Sequence, residues 1–368
     1  MAVAVETVRQ AGPSQLPADS EPWWRISRLR TAGLIALALA ALLPVPFGDF
    51  GYFVGQFALV YTILGLSIVV VTGYAGLISL MPYSFAGIGA MVAGLAMASW
   101  GWPFWLAIPL AALATVPISI AIGIASVRLK GLYLAIATLT FANLLGETFF
   151  KWDDVTGGVQ GWTITRPAIG PIDFSSDLAF YLLCLATVFV VLWMVEGLRR
   201  SRLGRAMLAV RDNELEAQAL GINVYKTKLV ALMLGGMLAG AGGAYLLGLL
   251  VTATPEPFQS PLVESTSVLL LGTVAIGGIQ SPFGAFIGAI ALVVQQQVFG
   301  GAEFFFAFFG IYTALVVILL LRFRPGGLVQ VGQLQIELIR KRPVLGSVIA
   351  ASILAVNGGI AYLFVRLS

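Results

Sequence analysis

Residues 52–99 read YFVGQFALVYTILGLSIVVVTGYAGLISLMPYSFAGIGAMVAGLAMAS, and none of them is charged. The stretch holds two apolar runs, 52–71 and 82–99. Each is close to the about 20 residues a helix needs to cross a bilayer. In hydrocarbon every backbone polar group must be satisfied within the protein, so only helices or closed barrels can span. A barrel would show apolar and polar residues alternating along each strand. Neither run alternates, so the stretch decides for membrane-spanning helices.

The same pattern extends outward. Of 368 residues, 59% are apolar and only 10% charged, with a mean hydropathy of +0.96. A soluble domain carries about a quarter of its residues as charges to cover its surface; here lipid supplies the missing solvent. Further apolar runs lie at 31–47, 104–126, 131–149, 178–198, 228–251, 264–280, 282–299, 305–321 and 345–366. The expected fold is all-α: a polytopic integral membrane helix bundle of about eleven transmembrane helices. Residues 1–30 form a polar tail ending in Trp23, Trp24, Arg25, Arg28 and Arg30, an aromatic-basic interfacial anchor. The run that follows has no small-residue cleavage site, so the tail is not read as a cleavable leader.

Basic residues set the orientation. With the N-terminus inside, all but Lys151, Arg166 and Arg366 of the 21 lysines and arginines fall on the cytoplasmic side. Losing one span would reverse everything downstream and destroy this bias. The net charge of +4 is therefore an orientation signal, and nucleic acid is not an expected partner; membrane lipid is. The chain has no histidine and one cysteine, Cys184. Histidine metal sites, Ser-His-Asp triads and intrachain disulfides are excluded. No phosphate loop, HExxH or CxxC occurs, so no catalytic set, metal site or cofactor is expected.

Four features carry information. Gly73 to Pro82 joins two spans with two glycines, a serine and a proline. It reads either as a broken or re-entrant segment, which membranes tolerate only beside protein or a water-filled cavity, or as a tight turn. Residues 199–227 are the most charged stretch, with Leu203, Met207, Val210, Ala217 and Leu220 on one helical stripe, Asn213-Glu214 interrupting it and Gly221 stopping it. Such a helix either inserts into a partner's groove or lies on lipid headgroups. The small residues Gly235, Gly236, Ala239, Gly240, Gly243 and Ala244 read as a helix-packing ridge. Glu147, Glu196 and Glu264 are carboxylates within or beside spans; Glu196 pairs with its basic neighbours, and Glu264 stands out as functional.

Taken together, GYAGLISL (73–80), RLKGLYLAIATLTF (128–141), WDDVTGG (152–158), the 201–229 loop, TPEPF (254–258) and VESTSVLLLGTVAIGGIQSPFGAFIGA (263–289) resemble the membrane permease subunits of branched-chain amino-acid ABC transporters. The resemblance spans about 73–325 in the expected order. It implies no enzymatic activity in this chain. It implies a permease subunit that forms half of a pathway for branched-chain or similar amino acids. The partners would be a second homologous permease subunit, two ATP-binding subunits and an extracytoplasmic solute-binding protein, in the bacterial inner membrane. It makes Arg205, Arg211, Asp212, Glu216, Ala217 and Gly221 ATPase-coupling positions. It places Gly73, Gly76, Ser79, Thr156, Gly157, Gly158, Glu264, Gly277 and Gly278 in the translocation pathway. The permease domain would cover 31–328, with the coupling loop at about 199–227, and 329–368 would be a linker and an extra helix with no family counterpart. The chain departs from the pattern at Met81-Pro82, where a glycine is common, and at Asn143 and Gly146, where many members carry an acid and a base. The alternative is a secondary transporter of a small polar solute, driven by an ion gradient through an intramembrane site.

Overall fold

A computed structural model describes residues 48–299, apart from 127–128, 130, 167, 170–171 and 260–261. The tail 1–30, the spans expected at 31–47, 305–321 and 345–366, and the linker after 328 lie outside the described residues.

The described chain is helical throughout its apolar runs. Helix α1 (Gly48–Ile68) continues into a π-helical stretch, Val69–Tyr74. Helix α2 is Pro82–Ala98, α3 Phe104–Ser126, α4 Leu132–Glu147 and α5 Asp177–Arg200. A pair of short helices follows, α6 (Arg202–Asp212) and α7 (Glu214–Ala219). Then come α8 (Val224–Leu250), α9 (Leu262–Gly277) and α10 (Pro282–Phe299). Four two-residue strands complete the set: β1 (Trp162–Thr163), β2 (Ala168–Ile169), β3 (Ile172–Asp173) and β4 (Thr252–Ala253).

Polar side chains inside these helices turn back on their own backbone. The buried Thr62 hydroxyl donates to Ala58 O at 2.7 Å and Ser67 to Leu64 O at 2.6 Å. This is how a helix carries hydroxyls at membrane depth without leaving a donor exposed to hydrocarbon. The glycine ridge of α8 does what its spacing implies. A Cβ on Gly243 would lie 1.9 Å from Ala86 O, and one on Gly89 2.1 Å from Gly240 O, so α2 and α8 touch backbone to backbone. On its other side α8 meets α1, with Gly235 against Val71 and Gly242 against Leu64. The two therefore run antiparallel and make the centre of the fold. Within their most apolar windows 83% and 61% of residues are buried in the chain, against 33% for α3, 33% for α4 and 39% for α5. The outer helices present apolar stripes, such as Leu106, Leu113 and Ile124 on α3.

Among the described residues, five helices, α1, α3, α4, α5 and α8, are long and apolar enough to cross a membrane. Three expected spans depart from plain crossings. The span read at 82–99 is a shorter apolar helix, preceded by an irregular segment, 75–81. The spans read at 264–280 and 282–299 form a pair bent by 117° at a short break. There Gly277 is pressed against Gly284, where a Cβ would come within 1.8 Å of a carbonyl oxygen, and Gly278 takes a φ of +118°.

The bundle has two ends. At one, Gln56 of α1 donates to Asp177 O at 2.7 Å, joining the starts of α1 and α5. The strands lie at this end: β1 pairs with β4 just after α8 finishes. At the other end lie the finish of α1, the finish of α5, the α6–α7 pair and the start of α8.

Candidate functional site: the helix-pair end and the irregular segment

Local sequence chemistry builds the helix pair. Ser201 caps α6, its hydroxyl accepting from Gly204 N at 3.1 Å. Asn213 ends α6 and caps α7: its Oδ1 accepts from the amides of Leu215 (3.0 Å) and Glu216 (3.4 Å), while its Nδ2 donates to Glu216 Oε1 (2.8 Å). This is why the apolar stripe breaks at 213. Gly221 stops α7 at a φ of +80°, as its position implied, and Asn223 caps α8 through Lys226 N at 3.0 Å.

The stripe divides in two. Met207, Val210 and Ala217 are buried in the bundle itself, and Val210 and Ala217 form a small core with Val224, Ala209 and Ile222. Leu215 and Leu220 are 75% and 79% exposed. Arg205, Asp212, Glu216 and Gly221 are exposed as well. Ala217 thus faces inward, and only its neighbours reach outward.

Arg211 ties the pair to the bundle. Its Nη1 donates to Gly73 O at 2.7 Å, across 138 residues of sequence, and its Nε and Nη2 donate to Asp212 Oδ1 at 3.1 and 2.9 Å. Gly76, at φ +70°, lies under the same side chain; a Cβ there would come within 2.7 Å of Arg211 Cγ. Gly73 is also crowded from the far side, where a Cβ would meet Ile279 O at 2.1 Å. The π-helical end of α1, the irregular segment, the α9–α10 break and α6 therefore converge on Gly73. Irregular π turns of this kind concentrate at functional positions.

Beyond Gly76 the chain has no regular secondary structure, with Leu77, Ser79 and Met81 buried and Gly76 and Ile78 exposed. The Leu80 amide donates to Thr138 on α4 at 3.1 Å and the Met81 amide to the Ser79 hydroxyl at 3.4 Å. The amides of Ile78 and Ser79 make no hydrogen bond among the described residues. Residues 75–81 form an irregular connection between the π-helical end of α1 and α2. Next to it, Lys228 at the start of α8 is buried and donates to Glu214 Oε1 at 2.6 Å. A cleft of about 120 Å³ opens beside Gly76, Arg211, Glu214 and Lys228.

The Thr156-Gly157-Gly158 turn lies at the strand end, apart from this cluster. Thr156 is buried and its hydroxyl donates to Trp152 O at 3.0 Å; Gly157 and Gly158 have φ of +74° and +65°. Glu264 falls in the first turn of α9, and its side chain is outside the described residues. Glu147 pairs with Lys151, and Glu196 with Arg200 at 2.9 Å. Sequence reasoning assigned Arg211 and Gly73 to separate roles and gave no role to Lys228. A lysine opening a glycine-rich span was the available signal.

These features define a multispan helical membrane protein with interrupted helices and a structured loop pair at one end. The profile of the branched-chain amino acid transport system/permease component family matches residues 53–323, and the chain belongs to this family. It is 29% identical to the high-affinity branched-chain amino acid transport system permease protein LivM of Salmonella typhimurium, over 77% of this chain and 71% of that protein. It is also 29% identical to LivM of Escherichia coli K12, over 84% of this chain and 77% of that protein. The ribose import permease RbsC of Escherichia coli K12 is 27% identical, over 49% of this chain and 59% of that protein. No solved structure matches the chain.

Proposed function

We propose that the chain is the permease subunit of an ATP-driven ABC importer and forms half of the pathway for branched-chain or similar amino acids. Its complex would hold a second homologous permease, two ATP-binding subunits and an extracytoplasmic solute-binding protein. The helix-pair end faces the cytoplasm, in a chain of eleven crossings with its N-terminus inside and its C-terminus outside. The amino-acid reading is supported by the LivM relatives, which match over three quarters or more of this chain, whereas the ribose permease matches over half. The chain does no covalent chemistry; closure of the ATPases on the helix pair shifts the bundle between two states.

One observation carries the partner assignment. On a charged, capped helix pair whose inner face is packed, Leu215 and Leu220 stand 75% and 79% exposed beside Glu216. Exposed apolar groups rimmed by charge mark a protein interface. The test is Leu220→Asp and Glu216→Arg, each measured for ATPase copurification and solute uptake at matched membrane abundance. Both variants are expected to lower copurification by about tenfold or more, since a misplaced charge at an interface costs on that order. Normal copurification and uptake in both would leave the pair as a headgroup-bound connector.

A further inference from the structure

We propose that Arg211 is the positioning residue that transmits movement of the α6–α7 pair to the irregular segment 75–81, through its hydrogen bond to the Gly73 carbonyl. The inference rests on the ABC-importer reading above and adds to it the joint through which the work passes.

The geometry leaves few other routes. The pair packs on the bundle through a small core, Val210, Ala217 and Val224, which is non-directional and can slide. The Lys228–Glu214 ion pair ties α7 to α8, a continuous helix with no break to move. Among the described side-chain hydrogen bonds of the pair, that of Arg211 is the one that reaches the place where α1 ends. The arginine bonds the last turn of the π-helical stretch at Gly73 O and lies over Gly76, where the chain takes a left-handed turn and leaves regular secondary structure. A guanidinium is a rigid, permanently charged fork, and its bond to a carbonyl is directional and stronger than a neutral one. Asp212 holds two of its other nitrogens, Nε and Nη2, so the fork is fixed in orientation on α6. A displacement of α6 therefore pulls directly on Gly73 O, as well as on the end of α5 to which Ser201 joins it. The neighbouring cleft of about 120 Å³ leaves space on the Gly76 side for that movement. Gly73 in turn abuts Ile279 at the α9–α10 break, so a shift at Gly73 reaches both interrupted regions together.

Both residues flanking the joint are constrained by this arrangement. Gly76 has a positive φ and no room for a Cβ beneath Arg211. Substituting it displaces the arginine while leaving the charge in place, which separates position from charge.

The experiment uses the complete reconstituted transporter, with ATP hydrolysis and uptake of radiolabelled leucine read from the same proteoliposomes. Arg211→Ala is expected to keep hydrolysis while uptake per ATP falls by about tenfold, the factor that goes with losing one hydrogen bond from a charged donor. Arg211→Lys, which can still donate to Gly73 O, recovers most of that ratio, and Gly76→Ala reproduces the loss with the arginine present. A merely structural role would lower assembly, hydrolysis and uptake together and leave the ratio alone. That result overturns the proposal, as does an unchanged ratio in Arg211→Ala, or a Lys variant no better than Ala. If Arg211→Ala fails to assemble, Gly76→Ala decides alone: a normal ratio there sinks the proposal. Failure of the importer reading looks different, because the wild-type complex would then show no ATP-dependent uptake at all.

Discussion

The two ends of the bundle are held together by different kinds of contact. At the strand end backbone and aromatic connections accompany an Arg166–Asp177 ion pair at 2.6 Å. β1 pairs with β4, Ile164 N donates to Val251 O at 2.8 Å, and the Trp162 indole donates to Val155 O at 2.8 Å. Phe150 stacks on Phe258 at 5.5 Å between ring centroids, and Tyr83 meets Phe258 at 5.0 Å. Three closely spaced glycines, Gly157, Gly158 and Gly161, adopt left-handed conformations that fix the loop path. At the helix-pair end the ties are single charged side chains, Arg211 to a carbonyl and Lys228 to Glu214. Many short-range contacts resist deformation in every direction, whereas a few directional ones allow hinge-like movement between alternatives. One end is built as a platform and the other as a joint.

The comparison can be broken outright by sidedness. Reporter fusions placed within 150–177 and within 199–227 are expected to give opposite, all-or-none signals. Matching signals would mean that both lie on one face and that the crossing count between them is wrong. A smaller but still large effect is expected at the platform. A Cβ at Gly161 would lie 2.0 Å from Ala253 O, on backbone with a φ of +67°. Gly161→Val should therefore destabilise the protein by about 3 kcal/mol through strain and displacement of β4. Thermal unfolding in detergent would register this as a lower midpoint, with uptake per ATP preserved in the folded fraction. An unshifted midpoint would show that the strand end is not rigid. The joint should respond less. Lys228→Met keeps the buried stem and removes the charge, so Glu214 loses this ion pair; Glu214 retains some water, its side chain being 27% exposed. The expected cost is about 2 kcal/mol, below that of a fully buried broken pair. A cost equal to that of Gly161→Val would erase the distinction between the two ends.

Much of this architecture was legible in the sequence, and what escaped has a common cause. The runs at 104–126 and 282–299 start where α3 and α10 start and stay helical as far as the described residues reach. Gly221 was legible as a helix stop because left-handed backbone selects glycine. Composition could not show that α9 and α10 meet at 117°, since two apolar runs read alike whether they cross or bend. Periodicity placed Leu203, Met207, Val210, Ala217 and Leu220 on one stripe without telling which members would be covered. Burial then divided them, Leu203 and Leu220 staying out and the rest going in. The bond from Arg211 to Gly73 spans 138 residues and involves a backbone carbonyl. No side-chain pattern announces an acceptor of that kind. Thr156 to Gly158 and Gly73 to Ser79 were read as one pathway, and the structure sets them at opposite ends.

The irregular edge at Gly76 to Leu80 has a consequence for the life of the protein in the cell. Ile78 is 36% exposed beside two amides, its own and that of Ser79, that lack a partner among the described residues. Lipid suits the isoleucine but not the amides, and water suits the amides but not the isoleucine. A protein neighbour satisfies both. In the importer proposed above, a copy made without its partners would leave this edge uncovered for quality-control proteases to find, and its abundance would follow theirs by turnover.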